Sequence, residues 1–168
     1  MTKSLLLDGK AAAKVVRAEL AQRIAALRAR GLMPGLRILQ VGTDPASSIY
    51  VASKVKASAK IGIDAQAERL AECADFAAVA EVIGAWNRDP AVHGFIVQLP
   101  LPRGMDSNAV LGLVSPSKDV DGLSPASLGA LAAGHPGFMP ATPSGIIELL
   151  LRSSITISGK RVVIVGRG

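Results

Sequence analysis

The sequence predicts an α/β fold, a mostly parallel sheet flanked by helices. Three observations carry that prediction. RILQVG (37–42) and GFIVQLPLP (94–102) are apolar on both faces, so strands built from them need cover on either side. Segments with helical start and stop signals alternate with these runs. A length of 168 residues with 49% hydrophobic content is enough to bury one core and to begin a second domain.

In chain order, residues 9–30 repeat apolar side chains at Val16, Leu20, Ile24 and Leu27 and stop at Gly31, with Pro34 just beyond. That spacing predicts an amphipathic helix. RILQVG follows as a buried strand. In TDPASS, Asp44 can cap a helix whose first position is Pro45, and this helix carries Tyr50 and Lys54. After Gly62, residues 63–70 predict a strand, and 76–87 a helix beginning after Asp75. Pro100 and Pro102 cannot donate to a sheet ladder, so the strand starting near Gly94 ends near Leu99 and leaves Gln98 at its carboxyl end. Beyond Pro102, 106–113 predicts a short helix, SPSKDVDG (115–122) a loop, 124–133 a helix and TPSGIIELL (142–150) another. RVVIVG (161–166) predicts a last apolar strand running into a glycine turn.

Composition narrows the function classes. No apolar run approaches the ~18 residues of a membrane span, and the first residues lack a cleavage signal, so a cytoplasmic protein with no membrane partner is expected. The single cysteine, Cys73, excludes an internal disulfide and a multi-cysteine metal site and reads as a small buried hydrophobe. The net charge is +6, with eleven Lys/Arg against three Asp/Glu in residues 1–60 and eight against ten thereafter. Lys10, Lys14 and Arg17 fall on one helical face, which is ordinarily a solvated surface. Nucleic acid is disfavoured as a partner, because aromatics make up only 3% of the chain and no recognised binding motif is present.

Three stretches could carry chemistry. In SIYVASK (48–54) and the residue before it, Ser47, Tyr50 and Lys54 fall within an arc of about 60° on one helix face, at ~100° per residue. The helix follows a strand, where open α/β sheets place ligands. Gln98 in QLPLP offers an amide that both donates and accepts, either to loop backbone or to a ligand. KDVDG (118–122) holds Asp119 and Asp121, but the glycine and glutamate of a calcium loop are not where that motif needs them. A carboxylate there can grip an N–H-rich heterocycle or cap the helix beginning near Ser124. His93 and His135 have no ligand-like spacing and read as structural. No metal is expected.

Together these segments resemble the bifunctional methylenetetrahydrofolate dehydrogenase/methenyltetrahydrofolate cyclohydrolase family. LDGK (7–10), VGTDPASSIYVASKVKA (41–57), VHGFIVQLPLP (92–102), SPSKDVDG (115–122), PATPSGIIELL (140–150) and GKRVVIVGRG (159–168) occur in the family's order through nearly the whole chain. The resemblance implies NADP-dependent oxidation of 5,10-methylenetetrahydrofolate to the methenyl form and hydrolysis of that to 10-formyltetrahydrofolate. By position, it implies a catalytic set of Tyr50, Lys54, Gln98 and Asp121. In this set Lys54 is the catalytic lysine, Gln98 interacts with it, Tyr50 lies against the folate and Asp121 holds the pterin. Ser47, Val97 and Leu99 are implied as further substrate contacts, and Gly166, Arg167 and Gly168 as the turn that touches NADP. The hydrolysis needs a base beside a cation. An ordinary lysine, with a pKa of ~10.4, is protonated and cannot serve, but desolvation and a positive substrate both disfavour the ammonium form.

The resemblance also implies residues 1–140 as a folate-binding catalytic domain. Residues 141–168 are then a connecting helix with the first strand and turn of a truncated NADP-binding Rossmann domain. Tetrahydrofolate derivatives, polyglutamylated ones included, are the implied partners, with homodimers at full length. The chain departs from the family's pattern at Ser124 and Ser127, where His and Asn are common, and at Ala141, where Cys is common. It stops at Gly168 inside the phosphate-binding turn, so dehydrogenase activity is expected to be lost and cyclohydrolase activity is left open. A short-chain dehydrogenase also pairs Tyr-x-x-x-Lys, but needs its glycine-rich turn before that pair. A noncatalytic folate-binding or interaction module is the other alternative.

Overall fold

The computed structural model describes residues 5–166. The elements are α1 (Gly9–Ala29), β1 (Gly35–Val41), α2 (Pro45–Lys60), β2 (Asp64–Leu70), α3 (Phe76–Arg88), β3 (Gly94–Val97), α4 (Ser107–Leu111), α5 (Pro125–Ala132) and α6 (Ala141–Arg152). Five helices begin where a short polar side chain takes up the first free backbone N–H groups: Asp8, Asp44, Asp75, Asp106 and Ser124. Pro45 and Pro125 occupy the first turns of α2 and α5, where a missing N–H costs nothing.

The three strands are parallel, in the order β2-β1-β3, and the register sets Gln40 beside Arg69 and Leu39 beside Val97. Alternation along β1 divides the interior into two layers. Leu39 and Val41 join Phe95 and Val97 in a core with Val79, Ile83 and Trp86 of α3 and Val110 and Leu111 of α4. Trp86 meets the Phe95 ring edge-on, with centroids 5.4 Å apart. Ile38 and Gln40 have the opposite parity and are also buried, on the side where Gln40 bonds to α2.

The loop after α4 is hung on the free edge of β3. Phe95 N–H donates to Lys118 O at 2.9 Å, and Phe95 pairs with Asp119 in an isolated parallel bridge. Gly94 is required there, because a Cβ would come within 2.2 Å of the Val120 side chain. Lys118 in turn donates to the Trp86 and Asp89 carbonyls at the end of α3. A single bridge at Asp119 thereby ties the turn 118–121 to the edge of β3, and Asp121, two residues on, lies near enough to Lys54 to couple with its charge.

Two expectations are corrected. RVVIVG forms no strand, and Val162, Val163, Ile164 and Val165 are 69–94% exposed. A strand exists only where a neighbour takes its backbone hydrogen bonds, and among the described residues none lies beside this segment. Cys73 is exposed, because it sits in the turn between β2 and α3. Among the described residues no helix is long and apolar enough to cross a membrane.

Candidate active site

Gly42 (φ 86°) turns the chain from β1 into α2, and the Asp44 carboxylate accepts the Ser47 N–H at 2.7 Å. Hydrogen bonds from Ser47 hold that carboxyl below the usual aspartate range. The cap fixes where α2 begins and therefore which residues face the strand ends. Of the three polar residues expected on one face, Ser47 is buried at 3% exposure, Lys54 is half-buried and Tyr50 is 63% exposed. Ser47 thus belongs to the helix start, while Tyr50 presents an open ring beside Lys54.

Lys54 Nζ donates to Gln98 Oε1 at 3.1 Å, across 44 positions of sequence. The Gln98 amide can turn only one way. Its Nε2 donates to the Leu99 carbonyl at 2.6 Å, which leaves the oxygen for the amine. Its backbone is held as well, since the Gln98 N–H donates to Leu39 O at 2.8 Å just past the end of β3. Val97 is 3% exposed with its side chain in the core, so only its backbone can reach a ligand. Leu99 is half-buried and packs against that core.

The two aspartates of KDVDG divide between the two readings the sequence allowed. Asp119 is buried and its carboxylate accepts N–H groups from Gly122 (3.0 Å), Leu123 (3.4 Å) and Ser124 (2.8 Å). Burial pushes its carboxyl up, but hydrogen bonds from Ser127, Ser124 and Leu123 outweigh this and hold it below the usual value. Asp119 is therefore the residue that shapes the loop. Among the described residues nothing donates to the Asp121 carboxylate. Burial raises its pKa, the Lys54 charge pulls the other way, and Asp119 adds to the rise. A half-buried carboxylate open on its hydrogen-bonding side and coupled to Lys54 is able to receive N–H donors from a ligand.

Gly122 closes the loop. At φ 67° it holds a left-handed conformation, and a Cβ would lie 2.3–2.6 Å from the backbone of Met139 and Pro140. The Asp121 carbonyl accepts the Ala141 N–H at 3.2 Å, which ties the loop to the first residue of α6. Ser124 and Ser127, both buried, bond to each other at 3.1 Å beneath Asp119. His93 takes a structural part, with Nδ1 accepting the Gly35 N–H at 3.0 Å. Of the residues expected to touch NADP, Gly166 is exposed, and Arg167 and Gly168 lie outside the described residues.

One buried polar group escaped the sequence reading. Gln40, 2% exposed, bonds to Gly42 O, Ser48 Oγ and Arg69. The signal was its position as the lone polar interior residue of the apolar run ILQV.

Residues 7–121 match the family described as tetrahydrofolate dehydrogenase/cyclohydrolase, catalytic domain. The chain belongs to that family. Similar curated family members include the bifunctional protein FolD of Variovorax paradoxus, 49% identical over 96% of this chain, and that of Heliobacterium modesticaldum, 47% identical over 96%. The chain spans 57% and 56% of their lengths, little more than half. Among solved family structures, the methylenetetrahydrofolate dehydrogenase-cyclohydrolase of Trypanosoma brucei, complexed with NADP and an inhibitor, superposes with a TM-score of 0.92 at 36% identity. That match covers all of this chain and 58% of the other. The bifunctional enzyme of Campylobacter jejuni gives 0.88 at 38% identity, covering 90% and 54%.

Proposed function

We propose that this chain is the folate-binding and catalytic part of a methylenetetrahydrofolate dehydrogenase/methenyltetrahydrofolate cyclohydrolase, with residues 1–140 as its folate domain. The observation that carries the reading is the Lys54–Gln98 hydrogen bond standing beside Asp121, inside the segment that matches the family. NADP+, when bound, supplies a hydride acceptor for the bridging methylene carbon. Of the turn expected to touch it, only Gly166 lies among the described residues, and the residue roles derived for this chain are those of the folate side.

Gln98 accepts a hydrogen from Lys54 whether the amine carries two protons or three, so a proton can come and go without disturbing the contact. With one N–H held by the amide, the nitrogen lone pair of the neutral amine is directed elsewhere, toward a substrate in the cleft. Water attacks the cationic methenyl carbon and gives one proton to the amine. As the bond from that carbon to N5 breaks, the ammonium returns a proton to N5, and the second water proton leaves as the formyl C=O forms. The product is 10-formyltetrahydrofolate plus one proton. Asp121 takes pteridine N–H groups, and the open ring of Tyr50 offers an apolar face to the rest of the ligand. Polyglutamylated folates are within this substrate class, and a homodimer is the proposed state of the longer protein.

Loss of methenyltetrahydrofolate absorbance and direct folate binding, measured on the wild type, Lys54→Ala and Asp121→Ala, test the reading. The expected result is hydrolysis slowed by about 100-fold or more in Lys54→Ala and affinity reduced by ~10-fold or more in Asp121→Ala. Equal affinity and equal turnover in all three would remove the site.

A further inference from the structure

We infer that Gln40 is a positioning residue for the Lys54–Gln98 pair, acting through Ser48 on the first turn of α2; this rests on the folate reading of the site only for its functional consequence. Gln40 lies at the carboxyl end of β1 on the sheet face covered by α2, and it is 2% exposed. Its Nε2 donates to Ser48 Oγ at 2.9 Å and to Gly42 O at 3.2 Å. Arg69, its register partner on β2, donates from Nη2 to Gln40 Oε1 at 3.4 Å and to Ser48 Oγ at 3.1 Å. The guanidinium fixes which way the amide faces, because it can only donate. Ser48 completes the set by donating to the Asp44 carbonyl at 3.0 Å, so its hydroxyl has one donor role and two acceptor roles filled.

The network clamps the start of α2 to both β1 and β2. Ser48 stands two residues before Tyr50 and six before Lys54 on the same rigid helix, while Gln98 is held separately by Leu39 of β1. The 3.1 Å contact between amine and amide is therefore only as well aligned as the rotation of α2 over the sheet. A side chain ending ~6 Å from a helix axis moves by ~1 Å for each 10° of rotation, enough to break such a bond. Errors of that size at a reacting group cost about 100-fold in rate. An apolar residue would fill the same space under α2 without setting its rotation. A buried amide whose donors must be met does set it.

Gln40→Leu and Ser48→Ala in the 168-residue chain test this. Without ligand, the Gln98 side-chain amide signal in a nitrogen-15 NMR spectrum should move in both variants, toward its position in Lys54→Ala. With methenyltetrahydrofolate, turnover should fall about 10-fold or more while the melting temperature of Ser48→Ala stays near that of the wild type, and Gln40→Leu should add no further loss in the Lys54→Ala background. An unmoved Gln98 signal overturns the inference, as does a loss of turnover that follows melting temperature and persists without Lys54. Failure of the wild type to bind folate would instead overturn the folate reading, and the ligand-free spectrum would still decide the role of Gln40.

Discussion

Asp119 and Asp121 are two residues apart yet respond to pH in opposite directions. Asp119 has its pKa lowered by the N–H groups it accepts, so its contribution to stability is present above the ordinary value of 3.8 and is lost as pH falls below it. Asp121 is raised by burial, so the native state favours its protonated form, and stability is lost as pH rises from 3.8 through its shifted value. Asp121→Asn is therefore expected to remove part of the fall in stability between pH 4 and neutrality, read from urea midpoints across that range. A midpoint difference from wild type that does not vary with pH contradicts this assignment. Asp119→Ala strands the Leu123 and Ser124 N–H donors, while the Gly122 N–H keeps the Asp119 carbonyl at 3.1 Å, and should cost about 2–3 kcal/mol. The spacing of KDVDG left the roles of the two aspartates open, and only the family resemblance assigned Asp121 to the pterin. Which one faces inward depends on Phe95 pairing with Asp119, a contact between residues 24 apart that no local pattern reveals.

At the scale of elements, the helix starts and strand ends were legible because the signals are local. Asp44 followed by Pro45 places the start of α2, and the prolines at 100 and 102 account for β3 ending at Val97. The convergence of α2 and the β3 end on one hydrogen bond was expected only from family resemblance, since 44 residues separate its partners. The KDVDG loop is an element of its own, locked by a glycine. Gly122→Ala adds a left-handed alanine at about 1–2 kcal/mol and a Cβ inside the contact distance of Met139 and Pro140. The expected outcome is a displaced loop, seen as faster amide exchange at position 122 and at Ala141 together with loss of folate affinity. Unchanged exchange at both positions would show that the loop is not held as described.

For the whole molecule, the α/β class was readable from two apolar runs because a parallel sheet covered on both faces leaves no polar side to its strands. RVVIVG carries the same local pattern and forms no strand, because pairing is a property of neighbours and not of a segment. The core that supports the site depends on Phe95, fully enclosed between β1, α3 and the 118–120 backbone. Phe95→Ala should cost about 3–5 kcal/mol in urea unfolding and loosen Asp121 with it. In the proposed function, the Lys54 amine, aimed by Gln98, moves the proton of the hydrolytic water. Lys54→Met keeps an unbranched side chain one atom shorter and removes the nitrogen, so methenyltetrahydrofolate hydrolysis and affinity measured on that variant separate chemistry from binding. Affinity is expected within ~3-fold of wild type, with hydrolysis slowed by about 100-fold or more. Hydrolysis at the wild-type rate would contradict this role.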